Sequence, residues 1–171
     1  MDQDEQRALG VFVAEQLQAA ETAVVIRDKT KCMADILATA LGEKGLDVLV
    51  SGILQGPPQW AAETLRHVAH PGLHRDALAA RAAEDPEAAF TALYYGADVG
   101  AHRDALVAAT ADDPVWAHMT LREVPDLGGH REALLAAVAA DPGSARFTLE
   151  QVADLGDHRE VIAAAAAQAA T

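Results

Sequence analysis

The stretch that decides the fold reads Asp113-Pro114-Val115-Trp116-Ala117-His118-Met119-Thr120-Leu121 and is followed by Gly128-Gly129-His130-Arg131. Both parts recur along the chain. The Gly-x-His-Arg tetrad occurs four times, and its histidines lie 28 residues apart, at His74, His102, His130 and His158. Prolines keep the same spacing, at Pro58, Pro86, Pro114 and Pro142. A constant period in this range is typical of repeat proteins, so we expect the chain to be built from equivalent units.

The first helix of each unit, here called helix B, is predicted to begin at the proline. Asp85, Asp113 and Asp141 precede three of the four prolines. An aspartate at this position accepts hydrogen bonds from the first amides of a helix, and proline fits the first helical position because its missing N–H would be unpaired there. Gly156 is expected to end the last helix B in the left-handed conformation.

The second helix, helix A, is predicted to begin at the histidine of the tetrad and is rich in alanine, which has the highest helix propensity. In the last unit Asp157 and Glu160 have the spacing of a capping box. We expect each histidine to pack or hydrogen-bond at this turn. Each arginine is expected to pair with the aspartate that precedes it: Asp98 with Arg103, Asp126 with Arg131, and Asp154 with Arg159.

A helical hairpin of 28 residues cannot bury its own apolar face, whereas stacked copies cover one another. The sequence therefore predicts an all-α fold, a right-handed αα-repeat solenoid of 28-residue helical hairpins over residues 46–171. Residues 1–45 do not repeat, and apolar positions at helical spacing predict an N-terminal helical cap there. At 171 residues the chain is expected to form a single structural domain.

The pattern Asp-Pro-x-x-Ala-x-x-x-Leu stands at residues 85–93, 113–121 and 141–149. On this pattern, residues 58–171 resemble the short-repeat α-solenoids of the HEAT-like and leucine-rich-repeat-variant type. The resemblance implies a scaffold that binds other molecules. One branch of that group carries an iron–sulfur site held by a cluster of cysteines, and this chain has one cysteine, Cys32.

Composition excludes several classes of protein. A hydrophobic content of 51% is too high for a disordered chain, and no run approaches the roughly 18 apolar residues of a membrane span. The 13 basic and 26 acidic residues give a net charge of −13, which argues against direct binding of nucleic acid. A single cysteine excludes an internal disulfide, and the first residues lack the features of a signal peptide, so a cytoplasmic location is expected.

The repeat region carries much of the negative charge. Residues 58–171 contain 17 acidic residues and eight arginines. An acidic surface attracts positively charged molecules over long distances, so a cationic protein or peptide partner is expected.

Aromatic residues are only 4% of the chain and concentrate on one side of the predicted B helices. At about 100° per residue, this side lies more than about 90° from the apolar core stripe. Two interpretations are open: the side chains fill gaps between repeats, or they line a groove that binds a peptide or a small apolar or aromatic ligand. We call these residues the aromatic stripe: Trp60, Tyr94, Tyr95, Trp116, His118, Met119 and Phe147.

The leading functional hypothesis is a noncatalytic α-solenoid that binds a protein or peptide through the B helices. No recognisable nucleophile, phosphate loop or acid–base pair predicts an enzyme, and no catalytic residue is assigned. No metal or other cofactor is expected, because histidines one repeat apart are about 10 Å from each other, whereas zinc ligands converge to about 2 Å from the ion.

Two alternatives stay open at this point. The first is a small-molecule binding protein or atypical enzyme with a pocket around Tyr94, Tyr95 and Trp116, and the second is an acidic mimic of nucleic acid. The alanine-rich segment 163–170 is expected either to pack on the last helix B or to form a homodimer.

If the 28-residue unit is the building block, deletion of residues 102–129 should leave a shorter, folded and helical protein. The reason is that the flanking units would present equivalent surfaces to each other. Circular dichroism and a cooperative thermal transition would test this. An unfolded product would contradict the modular interpretation.

Overall fold

The structure of the protein, a computed structural model, describes residue 47 and residues 50–67, 74–95 and 99–170. Within these ranges all regular structure is helical and no strand occurs, so the all-α prediction is confirmed for them. None of the described helices has the length and apolar character that crossing a bilayer requires. The predicted cap helices over residues 1–45 lie outside the described residues.

Eight α-helices of two alternating kinds follow one another from residue 58. The B helices are α1 Pro58–His67, α3 Pro86–Tyr95, α5 Pro114–Glu123 and α7 Pro142–Gln151. The A helices are α2 Arg75–Ala82, α4 Arg103–Thr110, α6 Arg131–Ala139 and α8 Arg159–Ala167. Short 3₁₀ turns precede three A helices and follow the last one, at Gly100–His102, Gly128–His130, Gly156–His158 and Gln168–Ala170.

The B helices begin where the proline signal predicts, and aspartate side chains cap three of them, α3, α5 and α7. Asp85 accepts a hydrogen bond from the amide of Ala88, at 2.9 Å. Asp113 caps α5 by accepting from the amides of Val115 and Trp116. Asp141 accepts from the amide of Ser144, and this hydrogen bond lowers the pKa of the Asp141 carboxyl group.

The predicted end of the last helix B is wrong. Helix α7 ends at Gln151 and not at Gly156, because Val152 adopts an extended conformation with φ −105° and ψ 112°. Val124 does the same after α5. The extended residue turns the chain so that both Val152 and Leu155 are buried. Gly156 does have a positive φ, of 50°, but it opens the 3₁₀ turn before α8.

The predicted capping box in the last unit is also wrong. Helix α8 begins at Arg159, and its N-cap is His158, which makes no side-chain capping bond. The 3₁₀ turn explains the difference. The amide of His158 donates to the carbonyl of Leu155, so the helix is preceded by a hydrogen-bonded turn and Asp157 is not at the N-cap.

The helices pack like against like. Each B helix contacts the following B helix, each A helix contacts the following A helix, and α1–α2, α3–α4, α5–α6 and α7–α8 form hairpins. Alanine occupies the same position in all four B helices and is fully buried in each: Ala61, Ala89, Ala117 and Ala145. Small side chains allow close helix approach. The A helices contribute a column of fully buried large residues: Leu78, Leu106, Leu134 and Ile162.

Polar pairs connect the edges of neighbouring units, in a pattern that differs from the predicted one. His74 hydrogen-bonds Asp47 at 2.6 Å. Two more histidines pair with an acid of the preceding helix A, His102 with Asp76 and His158 with Glu132.

Two of the tetrad arginines pair forward along the chain, whereas Arg159 donates to the preceding carbonyl of Ala153. Arg103 donates to the carbonyl of Asp126 at 2.9 Å, and Arg131 donates to the carbonyl of Asp154. The predicted pairing of each arginine with the preceding aspartate is therefore wrong for Arg131, whose partner belongs to the following turn. Arg103 too uses the aspartate that follows it; Asp98 lies outside the described residues. Such exposed pairs contribute only about 0–1 kcal/mol each.

Candidate functional site

The structure divides the aromatic stripe by exposure. Trp60 and His118 are buried, and Trp116 and Met119 are half-buried against the core. Tyr94, Tyr95 and Phe147 are exposed, at 45%, 46% and 44%. Three of the seven predicted residues are thus exposed.

Trp60 belongs to the hydrophobic core. Its indole ring lies so close to Gly56 that a Cβ on that residue would be 2.1 Å from the ring carbon Cε3. The turn before α1 therefore requires glycine at this position. Trp60 fills a gap next to this turn.

The rings on α3 and α5 form one contiguous cluster, which we call the aromatic cluster: Phe90, Tyr94, Tyr95 and Trp116. The centroid of the buried Phe90 ring is 5.5 Å from that of Tyr94 and 5.3 Å from that of Trp116. Tyr94 and Tyr95 meet edge to face at 4.6 Å. Phe90 packs beneath the exposed rings, although it was not among the predicted residues of the aromatic stripe.

Arginine side chains lie over two of the exposed rings. The guanidinium carbon of Arg66, on α1, is 3.8 Å from the centroid of Tyr95 on α3. The guanidinium carbon of Arg146 is 5.2 Å from the centroid of Phe147. Such cation–π contacts contribute about 0.5–1 kcal/mol when exposed, and they hold the rings in one orientation.

Each of these arginines, and Arg122 on α5, has a carboxylate on its own helix. Arg66 lies 3.6 Å from Glu63, and Arg146 lies 3.8 Å from Glu150. Arg122 pairs with Glu123 and also donates to Gln151 of the next B helix. Each of the three arginines near the rings is therefore already paired with a glutamate.

Charge is distributed unevenly between the two kinds of helix. The B helices carry four glutamates and three arginines. The other described residues carry 13 acids and five arginines. The strongly negative part of the molecule is therefore the A helices and turns, and the B helices are close to neutral. We call the outward side chains of the B helices the helix B surface: Arg66, Glu87, Tyr94, Tyr95, Val115, Arg122, Arg146 and Phe147.

His118 is buried between α5 and α7. Its Nδ1 hydrogen-bonds the hydroxyl of Thr148 at 2.9 Å, and its ring is 6.3 Å from Phe147. Burial lowers the pKa of His118, the nearby positive charge of Arg122 lowers it further, and Glu123 raises it. The imidazole is thus neutral near pH 7 and connects the core to the exposed Phe147.

Three buried threonines were missed by the sequence analysis: Thr120 and Thr148 lie 28 residues apart, and Thr64 lies 56 residues before Thr120, with Ala92 at the position between them. The Thr64 hydroxyl donates to the carbonyl of Trp60, and that of Thr148 pairs with His118. The hydroxyl of Thr120 has no partner among the described residues. The residue one repeat before His118 is Phe90, which has no polar atom to offer in the equivalent place.

No group of three or more His, Cys, Asp or Glu side chains in the described ranges is placed to hold a metal ion. Comparison with protein-family models, with curated proteins and with solved structures finds no match to this chain. The helix B surface is therefore the candidate site on its geometry alone.

The buried threonines predict two opposite stability changes. Thr120→Val should raise the free energy of unfolding by about 1 kcal/mol, because it removes a buried unpaired hydroxyl while keeping the shape of the side chain. Thr148→Val should lower it by about 1–3 kcal/mol, because Nδ1 of His118 loses its partner. Urea unfolding followed by circular dichroism measures both. Equal effects of the two substitutions would contradict the assigned hydrogen bonds.

Burial of His118 predicts a loss of stability in acid. The unfolded chain protonates this imidazole near its ordinary pKa of about 6.5, whereas the folded protein does so only at lower pH. The stabilising contribution is complete above the unfolded pKa and is lost as pH falls toward the lowered folded value. His118→Phe, which places the residue of the preceding repeat here, should reduce this loss by up to about 1.4 kcal/mol per pH unit.

Urea unfolding at about pH 7.5 and about pH 5.5 would measure this difference. His158→Gln is the control, because His158 lies at the exposed edge beside Glu132, and its replacement should not remove the loss. If His118→Phe loses as much stability as the unchanged protein, the buried imidazole does not cause the pH dependence.

Proposed function

We propose that this protein is a noncatalytic scaffold that binds a protein or peptide partner through the helix B surface. The scaffold in this proposal is a right-handed αα-repeat solenoid of 28-residue hairpins. Helix starts at Pro58, Pro86, Pro114 and Pro142 support it, and so does the packing of like helices on like. A reducing cytoplasm is the proposed compartment, because a single cysteine leaves no internal disulfide.

One observation carries the proposal. Five large apolar or aromatic side chains are exposed in the described part of the chain, and four of them lie on the helix B surface: Tyr94, Tyr95, Val115 and Phe147. Exposed apolar residues gathered on one face mark interaction sites, and aromatic residues dominate the energy of protein interfaces. The remaining one, Val161, lies on α8.

The charge distribution supports a second property of the proposed partner, a positive charge. The acids of the A helices and turns produce a negative field around the near-neutral helix B surface. This field would attract a cationic partner and accelerate its encounter, whereas the contact energy would come from the rings. A cationic protein or peptide therefore remains the proposed partner.

A small ligand is the second candidate, because Tyr94, Tyr95 and Trp116 meet in one aromatic cluster. It would be indicated by a compound of a few hundred daltons that raises the melting temperature while no protein partner is recovered.

An acidic mimic of nucleic acid would be indicated by a partner that is released steeply by salt and whose binding is unaffected by the aromatic substitutions. A homodimer through α8 would be indicated by a dimer that Val161→Lys dissociates.

The test uses the exposed rings, whose replacement spares the core. A partner captured from the source organism is purified, and its binding kinetics are measured by surface plasmon resonance. Tyr95→Ala and Phe147→Ala should each raise the dissociation rate by about thirtyfold, which corresponds to a hot-spot contribution of about 2 kcal/mol. Association should slow as salt rises above about 0.1 M, where the screening length falls below about 10 Å.

Val161→Ala is the matched control, since Val161 is also an exposed apolar residue but lies on α8. This variant should bind like the unchanged protein. If Tyr95→Ala and Phe147→Ala both leave the dissociation rate unchanged, the partner does not bind at the helix B surface.

A further inference from the structure

Three aromatic side chains at this surface have hydrogen-bond donors that are unused within the described part of the chain. They are the hydroxyls of Tyr94 and Tyr95 and the indole N–H of Trp116. Tyr and Trp side chains usually pair their polar atom when it is removed from water. Unused donors beside exposed apolar rings suit a ligand that has both an apolar surface and hydrogen-bond acceptors without partners of their own.

The B helices repeat at a spacing that selects the shape of such a ligand. Contacts of Arg66 with Tyr95 and of Arg122 with Gln151 join the C-terminal ends of neighbouring B helices, so these helices run parallel. Equivalent positions on packed helices are about 8–10 Å apart. A polyproline II helix repeats every three residues, or about 9.3 Å, whereas a β-strand repeats every two residues, or about 6.7 Å. Only the first period matches the helix spacing.

The unpaired charge on the surface indicates what else the ligand carries. Every arginine on the B helices has a glutamate partner. Glu87, on α3, is exposed and makes no ion pair with any described residue. It lies seven residues before Tyr94, which places both on one face of the helix about 10 Å apart. The complementary group is therefore one basic side chain at the end of an otherwise uncharged segment.

We propose that the helix B surface binds a proline-rich segment in the polyproline II conformation that is flanked by one basic residue. The segment crosses α3, α5 and α7. Tyr94, Tyr95 and Trp116 donate hydrogen bonds to its carbonyls, which have no internal partners in this conformation. Glu87 pairs with the basic residue, and Phe147 contacts the far end. This inference rests on the proposed function, because it names the class of partner for the same surface.

The test is fluorescence anisotropy with labelled synthetic peptides on the full chain. The probes are nonaproline with an added arginine at either end, the same peptide with glutamate instead, and a glycine–serine peptide with one arginine. The arginine–proline peptide should bind at least about tenfold more tightly than the glycine–serine peptide, since the preformed helix loses less entropy on binding. Tyr94→Phe and Tyr95→Phe should weaken this binding by removing hydroxyls alone.

Charge exchange gives the sharpest comparison. Glu87→Lys should reverse the preference, so that the glutamate–proline peptide binds better than the arginine–proline peptide. Val161→Ala is the control and should bind like the unchanged protein. Equal binding of the proline and glycine–serine peptides would overturn the inference, because charge alone would then explain it. Proline binding that ignores the Tyr94 and Glu87 substitutions would also overturn it, by placing the peptide elsewhere.

The two proposals fail in distinguishable ways. If no proline peptide binds, but Tyr95→Ala and Phe147→Ala still release the captured partner, the helix B surface is a binding site for a different kind of segment. If the captured partner is also unaffected, the proposed function fails together with this inference.

Discussion

No helix in the described part of the chain, from α1 to α8, is long enough to be stable alone. Each has between 8 and 10 residues, whereas isolated helices below about 12–15 residues are marginal in water. Their stability must come from lateral packing. The fully buried alanine column on the B helices allows that packing to be close, and Leu78 and its counterparts fill the space between the layers. The outward residues of each helix contribute little to this packing between helices, so their identity can differ from one helix to the next.

The features that could be predicted from sequence are those with local causes. The starts of the B helices depend on a proline and, in three of the four, on the aspartate directly before it, as at Asp113, so they were predicted correctly. The end of α7 was not, because the extended conformation of Val152 is set by the burial of Val152 and Leu155 against other helices. The partner of Arg131 was missed for the same reason. It belongs to the turn after α7, 23 residues along the chain, and only the packing of the helices brings it near.

In the candidate site, too, features with local causes could be predicted and features that depend on packing could not. Helical periodicity could place the seven stripe residues on one side of the B helices, but it could not say which of them a neighbour covers. Trp60 and Trp116 occupy equivalent positions, yet Trp60 is buried beside Gly56 and Trp116 is half-buried beside Phe90. Met119 and Phe147 are likewise equivalent and differ in exposure. These differences come from the residues packed around each position, which are not the same.

Residues at equivalent positions of three B helices differ in chemistry and therefore make different contacts. They are Phe90, His118 and Arg146, and their partners differ accordingly. Phe90 leaves the Thr120 hydroxyl unpaired, His118 satisfies the Thr148 hydroxyl, and Arg146 lies outside over Phe147. An unpaired buried hydroxyl costs about 1–3 kcal/mol. The unpaired hydroxyl lies where Phe90 supports the exposed tyrosines, so the cost falls at the place where the helix B surface is most aromatic.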